Sequence, residues 1–385
     1  MRATCVKIYT DNLRHNLNLI RQKIEKNAKM CVAVKADAYG HGAVECSKIA
    51  VECGADFLAV ACVSEGIQLR MAGIKVPVLV LSLCIPDEMK ELISYSLTPL
   101  VFDSEYIHLL DRKCAELNVK DFPVHLAVDT GMGRIGCIPE QAGKIAKIIE
   151  DCYCLKLEGT CTHFAVADSL KEEDIEYTEK QFSLFLESIE NIKNEGINPG
   201  IRHCANSALT LTKKDMHLDM CRPGIITYGY FPGDLSESFF TEKGETVDLK
   251  PVMAFVSQVV AIRDFDKGKS VSYGRLWSSS KKTRVAVIPA GYADGFLRRF
   301  NQNGREFQVS IGGRAYDLCG RICMDQAMIE IGFDENIHRW DEVVIFGPKE
   351  SGAVLTAQDI AEKTDTISYE ITCGVSKMRV PKIFI

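Results

Sequence analysis

The sequence predicts a two-domain α/β protein, an N-terminal (β/α)8 barrel followed by a C-terminal, mainly β domain. Two observations carry this expectation. From Met30 to about Tyr228, eight short apolar runs alternate with amphipathic stretches; after about Phe231, alternating strands separated by glycine-bearing turns replace that rhythm. Parallel strands need crossover helices, and eight such units in about 200 residues fit a closed barrel better than an open sheet.

Taken in order, residues 1–11 read as a strand joining the β domain, and the barrel is expected over 12–235. Its runs are CVAVKA (31–36), FLAVAC (57–62), PVLVLS (77–82), LTPLVF (97–102), VHLAVD (124–129), LKLEGTCTHF (155–164), IRHCANSA (201–208) and MCRPGIITYG (220–229). Helical periodicity marks EYIHLLDRKCAEL (105–117) and EKQFSLFLESIENIKNEG (179–196) between them. The stretch 232–250 is the expected hinge region, and 236–385 form the β domain. That domain has strands in VMAFVSQVVAI (252–262), RVAVIPAGY (284–292), FQVSIGG (307–313), AMIEIG (327–332) and DEVVIFG (341–347). Only TAQDIAEKT (356–364) looks helical there.

The 385 residues include 46% hydrophobic and 25% charged side chains, enough for a sizeable core. A net charge of −6 without a basic stripe argues against a nucleic-acid partner. The most apolar stretch, Val76 to Ile85, is far shorter than the ~20 residues of a membrane span. The N-terminal stretch lacks the apolar core of a secretory signal, so a cytoplasmic protein is expected. The 16 cysteines include no C-x-x-C pair, and neither close pair (Cys152/Cys154, Cys319/Cys323) has histidines at zinc-ligand offsets. Reduced thiols buried in apolar runs, such as Cys31 and Cys62, are expected, and no metal.

Polar residues interrupt the runs at informative places. Lys35 ends the first, Asp129 the fifth and His163 the sixth; Asn206 and Ser207 close the seventh, while Arg222 and Gly224 lie in the eighth. The carboxyl ends of barrel strands converge on the face where catalytic groups are assembled. A lysine flanked there by apolar residues loses hydration, which lowers its pKa and frees a neutral amine for Schiff-base chemistry. Ser207 opens a helix in ANSA, where backbone N–H groups favour an anion. Gly224 lets the backbone approach a phosphate closely. Arg134 and Arg222 are permanently charged forks suited to a planar polar ligand.

These motifs together resemble the alanine racemases. AVKADAYGHGA (33–43) is similar to that family's pyridoxal-phosphate attachment segment. DTGMGRIG (129–136), THFAVAD (162–168), ANSA (205–208), MCRPGI (220–225), VSYG (271–274), GYADGF (291–296), GRICMDQ (320–326) and SYE (368–370) follow in the family's order. The resemblance implies that Lys35 carries pyridoxal 5'-phosphate and acts as the base on one face of the substrate. Tyr273 would be the opposing base, contributed across a homodimer interface, as inversion by two bases requires. Arg222 would partner the pyridine nitrogen, and His163 would link Arg222 to Tyr273. Tyr39, Asn206, Ser207, Gly224, Ile225 and Tyr369 match cofactor-binding positions, most of them at the phosphate. Arg134, Met324 and Asp325 match substrate-side positions, with Asp168, Tyr292 and Arg298 lining the approach.

One departure stands out. Many members place a carbamylated lysine two residues before the aspartate of DTGMGR, and here that residue is Ala127. Arg134 must then be held by something else, such as chloride or a water cluster. The bulk of Tyr369 implies alanine rather than serine, with serine or broad-specificity racemisation as the runner-up. Two further alternatives are a non-catalytic cofactor carrier, which the β domain and Tyr273 count against, and a decarboxylase, which Arg222 counts against. The family setting implied is bacterial D-alanine supply for peptidoglycan.

Overall fold

The computed structural model describes residues 2–301 and 307–385, so the first residue of the 1–11 segment lies outside the described residues. Strand β1 (Cys5–Ile8) precedes a ring of eight parallel strands: β2 (Lys29–Ala33), β3 (Phe57–Val60), β4 (Val78–Val80), β5 (Thr98–Val101), β6 (Phe122–Ala127), β7 (Leu155–Cys161), β8 (Ile201–His203) and β9 (Met220–Cys221). They run in the order β8-β7-β6-β5-β4-β3-β2-β9. The ring closes where Asp219 N–H donates to Arg202 O at 3.0 Å and Arg222 N–H to Ala205 O at 2.8 Å. FLAV and VLV are buried along their whole length, as expected of strands covered by side chains inside the barrel and by helices outside. The covering helices are amphipathic. Residues Ser104–Glu116 bury Tyr106, Ile107, Leu110 and Cys114, and the Asp103 carboxylate caps them by accepting from Tyr106 N–H at 2.8 Å.

The C-terminal strands are β10 (Met253–Gln258), β11 (Ala261–Phe265), β12 (Ser270–Val271), β13 (Trp277–Ser278), β14 (Thr283–Ile288), β15 (Gln308–Ile311), β16 (Arg314–Asp317), β17 (Ala327–Glu330), β18 (Glu342–Phe346) and β19 (Lys382–Phe384). One sheet has the order β16-β15-β18-β10-β1-β19, a second β11-β14-β17, and β12 and β13 form a hairpin. Strand β1 pairs antiparallel with β10 and parallel with β19, so both chain ends lie in the sheet of the second domain.

Several expectations need correction. The eighth run is a strand only at Met220–Cys221; Pro223 lacks an N–H, and a short 3-10 turn follows at Ile225–Tyr228. VMAFVSQVVAI holds two strands in different sheets, because Val259 N–H bonds Asp341 O while Val260 N–H bonds Val287 O. Helices also occupy Glu237–Glu242, capped by Ser236, and Ser368–Cys373, which carries Tyr369. Cys62 is exposed rather than buried, since it lies beyond the end of β3, at the residue that precedes the next helix.

Candidate active site

A cavity of about 430 Å³ opens at the carboxyl ends of the barrel strands. It gathers Lys35, Tyr39, Arg134, His163, Asp168, Asn206, Ser207, Arg222, Gly224, Ile225 and Tyr369. Lys35 lies two residues past β2, at the head of an unusual turn. Ala36, Asp37, Ala38 and Tyr39 all have φ between 52° and 58°, a left-handed turn costing about 1–2 kcal/mol per non-glycine residue. Surrounding bonds hold it. The Glu65 carboxylate accepts from Ala36 N–H at 2.7 Å and from Ala61 N–H at 2.8 Å, and Gly42 N–H donates to Asp37 O at 2.8 Å. Burial, and then the charge of Arg134, lower the Lys35 pKa from the usual lysine value, with Glu65 opposing them.

Arg222 is buried, and its partners form a directed chain. Its Nη1 donates to His203 O at 2.9 Å and to His203 Nδ1 at 2.7 Å; its Nη2 donates to Thr162 O at 2.8 Å and, at 3.4 Å, to His163 Nδ1. A guanidinium only donates, so Nδ1 of His203 accepts and its Nε2 carries the hydrogen. That Nε2 lies 2.8 Å from Nδ1 of His125, whose Nε2 faces Glu158 Oε2 at 3.3 Å. The chain Arg222–His203–His125–Glu158 therefore runs through the barrel core with one donor direction. Burial lowers the pKa of His125, and takes His203 well below the ordinary histidine value. Burial first, then Arg222, Arg134 and Lys35, push His163 down to about 3, so it is neutral beside the arginine. Sequence reasoning missed His203, His125 and Glu158. One signal was present: Gly159 interrupts β7, and a Cβ there would sit 2.7 Å from His125 Cε1.

The other end of the cavity is a small polar cradle. Gly224 N–H donates to Ser207 Oγ at 2.8 Å, and a Cβ on Gly224 would lie 2.7 Å from Tyr39 Oη. The rings of Tyr39 and Tyr369 are 5.8 Å apart. Asn206 lines the cavity while its side-chain oxygen caps the helix Ser207–Thr212, accepting from Ala208 N–H at 3.0 Å and Leu209 N–H at 3.2 Å. Arg134 is exposed at the mouth, and among the described residues none hydrogen-bonds its guanidinium; the buried Ala127 methyl has no group to offer it.

Five expected site residues are not brought to Lys35 within one chain. Tyr273 is 67% exposed and borders a separate cavity with Ser272, Cys323 and Gln326. Met324 and Tyr292 are exposed on the β domain, and the Asp325 carboxylate is paired with Arg379 at 2.7 Å. Arg298, also exposed, lies outside the cavity.

A barrel whose strand-end lysine is desolvated beside a cationic fork and a phosphate-sized cradle is built as a pyridoxal-phosphate enzyme. Models described as the N-terminal and C-terminal domains of alanine racemase match residues 8–232 and 252–384. The alanine racemase of Treponema denticola is 48% identical, covering 100% of this chain and 99% of its own; that of Treponema pallidum is 40% identical, covering 98% of each. Among solved structures, the alanine racemase of Clostridium difficile 630 superposes with a TM-score of 0.91 at 37% identity, covering 100% of this chain and 96% of that one. The Bacillus anthracis alanine racemase with bound L-Ala-P gives 0.89 at 33%, covering 100% and 95%. The chain belongs to the alanine racemase family.

Proposed function

We propose that this chain interconverts L-alanine and D-alanine with pyridoxal 5'-phosphate held in the barrel cavity. The observation that carries the reading is Lys35, whose amine is desolvated in a cavity floored by Arg222. Three features suit the cofactor. The lysine's lowered pKa favours the nucleophilic amine. The Nε of Arg222 has no protein partner among the described residues, leaving a donor for a ring nitrogen. Gly224 leaves open the space between Tyr39 and Ser207 that a methyl would fill, room for phosphate oxygens.

When bound, pyridoxal phosphate supplies an electron sink that acidifies the substrate's α-carbon. Lys35 Nζ takes or returns the α-proton on one face. Tyr273 Oη serves the other, reaching the cavity from a second copy of the chain. Arg222 cannot release a proton, so its Nε–H would hold a ring nitrogen in the unprotonated form and keep that sink moderate, which disfavours side reactions. Neutral His163 hydrogen-bonds Arg222 without adding charge. Arg134, without a bond to any described side chain, orients the substrate carboxylate. The bulk of Tyr369, packed beside Tyr39 at the phosphate cradle, leaves little room for a hydroxymethyl group and favours a methyl side chain.

The exposed Tyr273, Leu276 and Met324 support a homodimer that covers them and completes each cavity. Sixteen unpaired cysteines support a reducing, cytoplasmic setting; no helix of the described residues is long and apolar enough to cross a membrane. Chiral chromatography of protein loaded with pyridoxal phosphate and given L-alanine or L-serine tests the reading. D-alanine should approach an equal mixture, at roughly 10–200 times the rate of D-serine formation. Unchanged L-alanine would overturn it.

A further inference from the structure

The turn that begins at Lys35 is gripped from the other domain. Asp37 lies inside the left-handed stretch, and its carboxylate is shared between two partners. One oxygen accepts from Ala43 N–H at 2.8 Å, and the other pairs with Lys382 Nζ at 2.8 Å. Both side chains are largely enclosed, 16% and 17% exposed. Lys382 opens β19, the last strand of the second domain, and its neighbours press on the same turn. A Cβ on Gly42 would meet Phe384 Cζ at 2.8 Å and Lys382 Cδ at 3.3 Å; one on Gly40 would meet Thr372 O at 2.3 Å. Four consecutive non-glycine residues do not hold left-handed geometry unless their surroundings over-determine it.

We propose that the Asp37–Lys382 ion pair is a positioning device: the C-terminal strand holds the left-handed turn after Lys35 and thereby fixes where its amine stands. The inference rests on Lys35 being the cofactor-bearing lysine. Asp37 and Lys382 touch no reacting group and act through the backbone of residues 36–42. A partly buried charge whose partner is removed is left uncompensated, so either deletion should loosen the turn rather than leave it unchanged. Misplacement of a reacting group by even 1 Å can cost on the order of a hundredfold in rate.

The test uses the full chain with three substitutions. Lys382→Met keeps the stem against Gly42 and removes the charge, Asp37→Asn keeps an acceptor for Ala43, and Lys382→Arg restores the charge. Amide exchange over residues 36–42 is read in cofactor-stripped protein. The rate at which added pyridoxal phosphate develops the absorbance of the lysine-bound form is read alongside. Lys382→Met and Asp37→Asn should each speed exchange across 36–42 about tenfold or more while leaving β3 to β5 unchanged. Both should slow cofactor attachment and lower kcat about tenfold with KM within about threefold, and Lys382→Arg should recover each readout. Wild-type exchange and attachment rates in both charge-removing variants would overturn the proposal, as would an arginine variant no better than methionine. If Lys382→Met does not fold, Asp37→Asn alone decides. Exchange and attachment are read without amino acid. A wild-type protein that attaches the cofactor yet leaves alanine unchanged refutes the racemase reading and leaves this one standing.

Discussion

Gly224 shows how little room the cavity allows at the scale of one side chain. A methyl at this position would sit 2.7 Å from Tyr39 Oη, so the tyrosine hydroxyl must move, while Ser207 Oγ at 3.6 Å stays in ordinary contact. Overpacking of this kind typically costs 1–3 kcal/mol. Gly224→Ala is therefore expected to weaken pyridoxal phosphate binding roughly tenfold or more, measured by titrating cofactor-stripped protein spectrophotometrically. Unchanged affinity would mean that the phosphate is held elsewhere. Arg222 shows the complementary constraint. Its two Nη atoms are committed to His203, Thr162 and His163, which fixes the plane of the guanidinium before any ligand arrives.

Short elements do much of the positioning. The helix that presents Ser207 has six residues, too few to be stable alone. Its start is set by Asn206, which accepts from two backbone N–H groups. Asn206→Ala should cost about 1 kcal/mol of stability, within a range of about 0.5–2, through loss of that cap. The check is the urea midpoint of the cofactor-free protein, and an unshifted midpoint would deny the cap any weight. The left-handed turn after Lys35 is the opposite case. Its backbone is locally unfavourable and persists through Glu65, Asp37 and the packing of β19.

Over the whole molecule, two consequences follow. Four histidines (His41, His125, His163 and His203) are neutral and poor proton acceptors, with His41 held at about 4 and His163 at about 3, burial being the largest cause in each. In the unfolded chain each takes a proton near 6.5. Their contribution is complete above pH 6.5 and is lost as pH falls toward the folded values, because the unfolded state then binds more protons. Acidification from pH 6.5 to 5 should lower the urea midpoint steadily, with His41 alone worth about 3 kcal/mol over its full range. A flat midpoint across that interval would contradict the assignment. The second consequence concerns assembly. If Tyr273 serves a neighbouring barrel, Lys35→Ala and Tyr273→Phe should each be severely impaired, the latter by about 10²–10⁴. Mixed by unfolding and refolding together, the two should regain about a quarter of wild-type activity, since heterodimers keep one intact site. Mixtures as inactive as their parts would place both bases in one chain.

The barrel and β domain were legible because each rests on local periodicity, which a strand or helix must show wherever it packs. Lys35, Tyr39, His163, Ser207, Arg222, Gly224 and Tyr369 were legible through motifs, and they line one cavity. The chain from Arg222 to Glu158 was not. His203, His125 and Glu158 come from three neighbouring strands, and closure of the ring between β8 and β9 brings Arg222 to them. Nor was the left-handed turn, since KADAY carries no glycine to announce positive φ. By itself the sequence determined the two-domain plan and the chemical types available at the strand ends. Tertiary structure alone decided which of those groups meet, which way their hydrogens point and what holds the lysine's turn, because those depend on contacts between residues far apart in the chain.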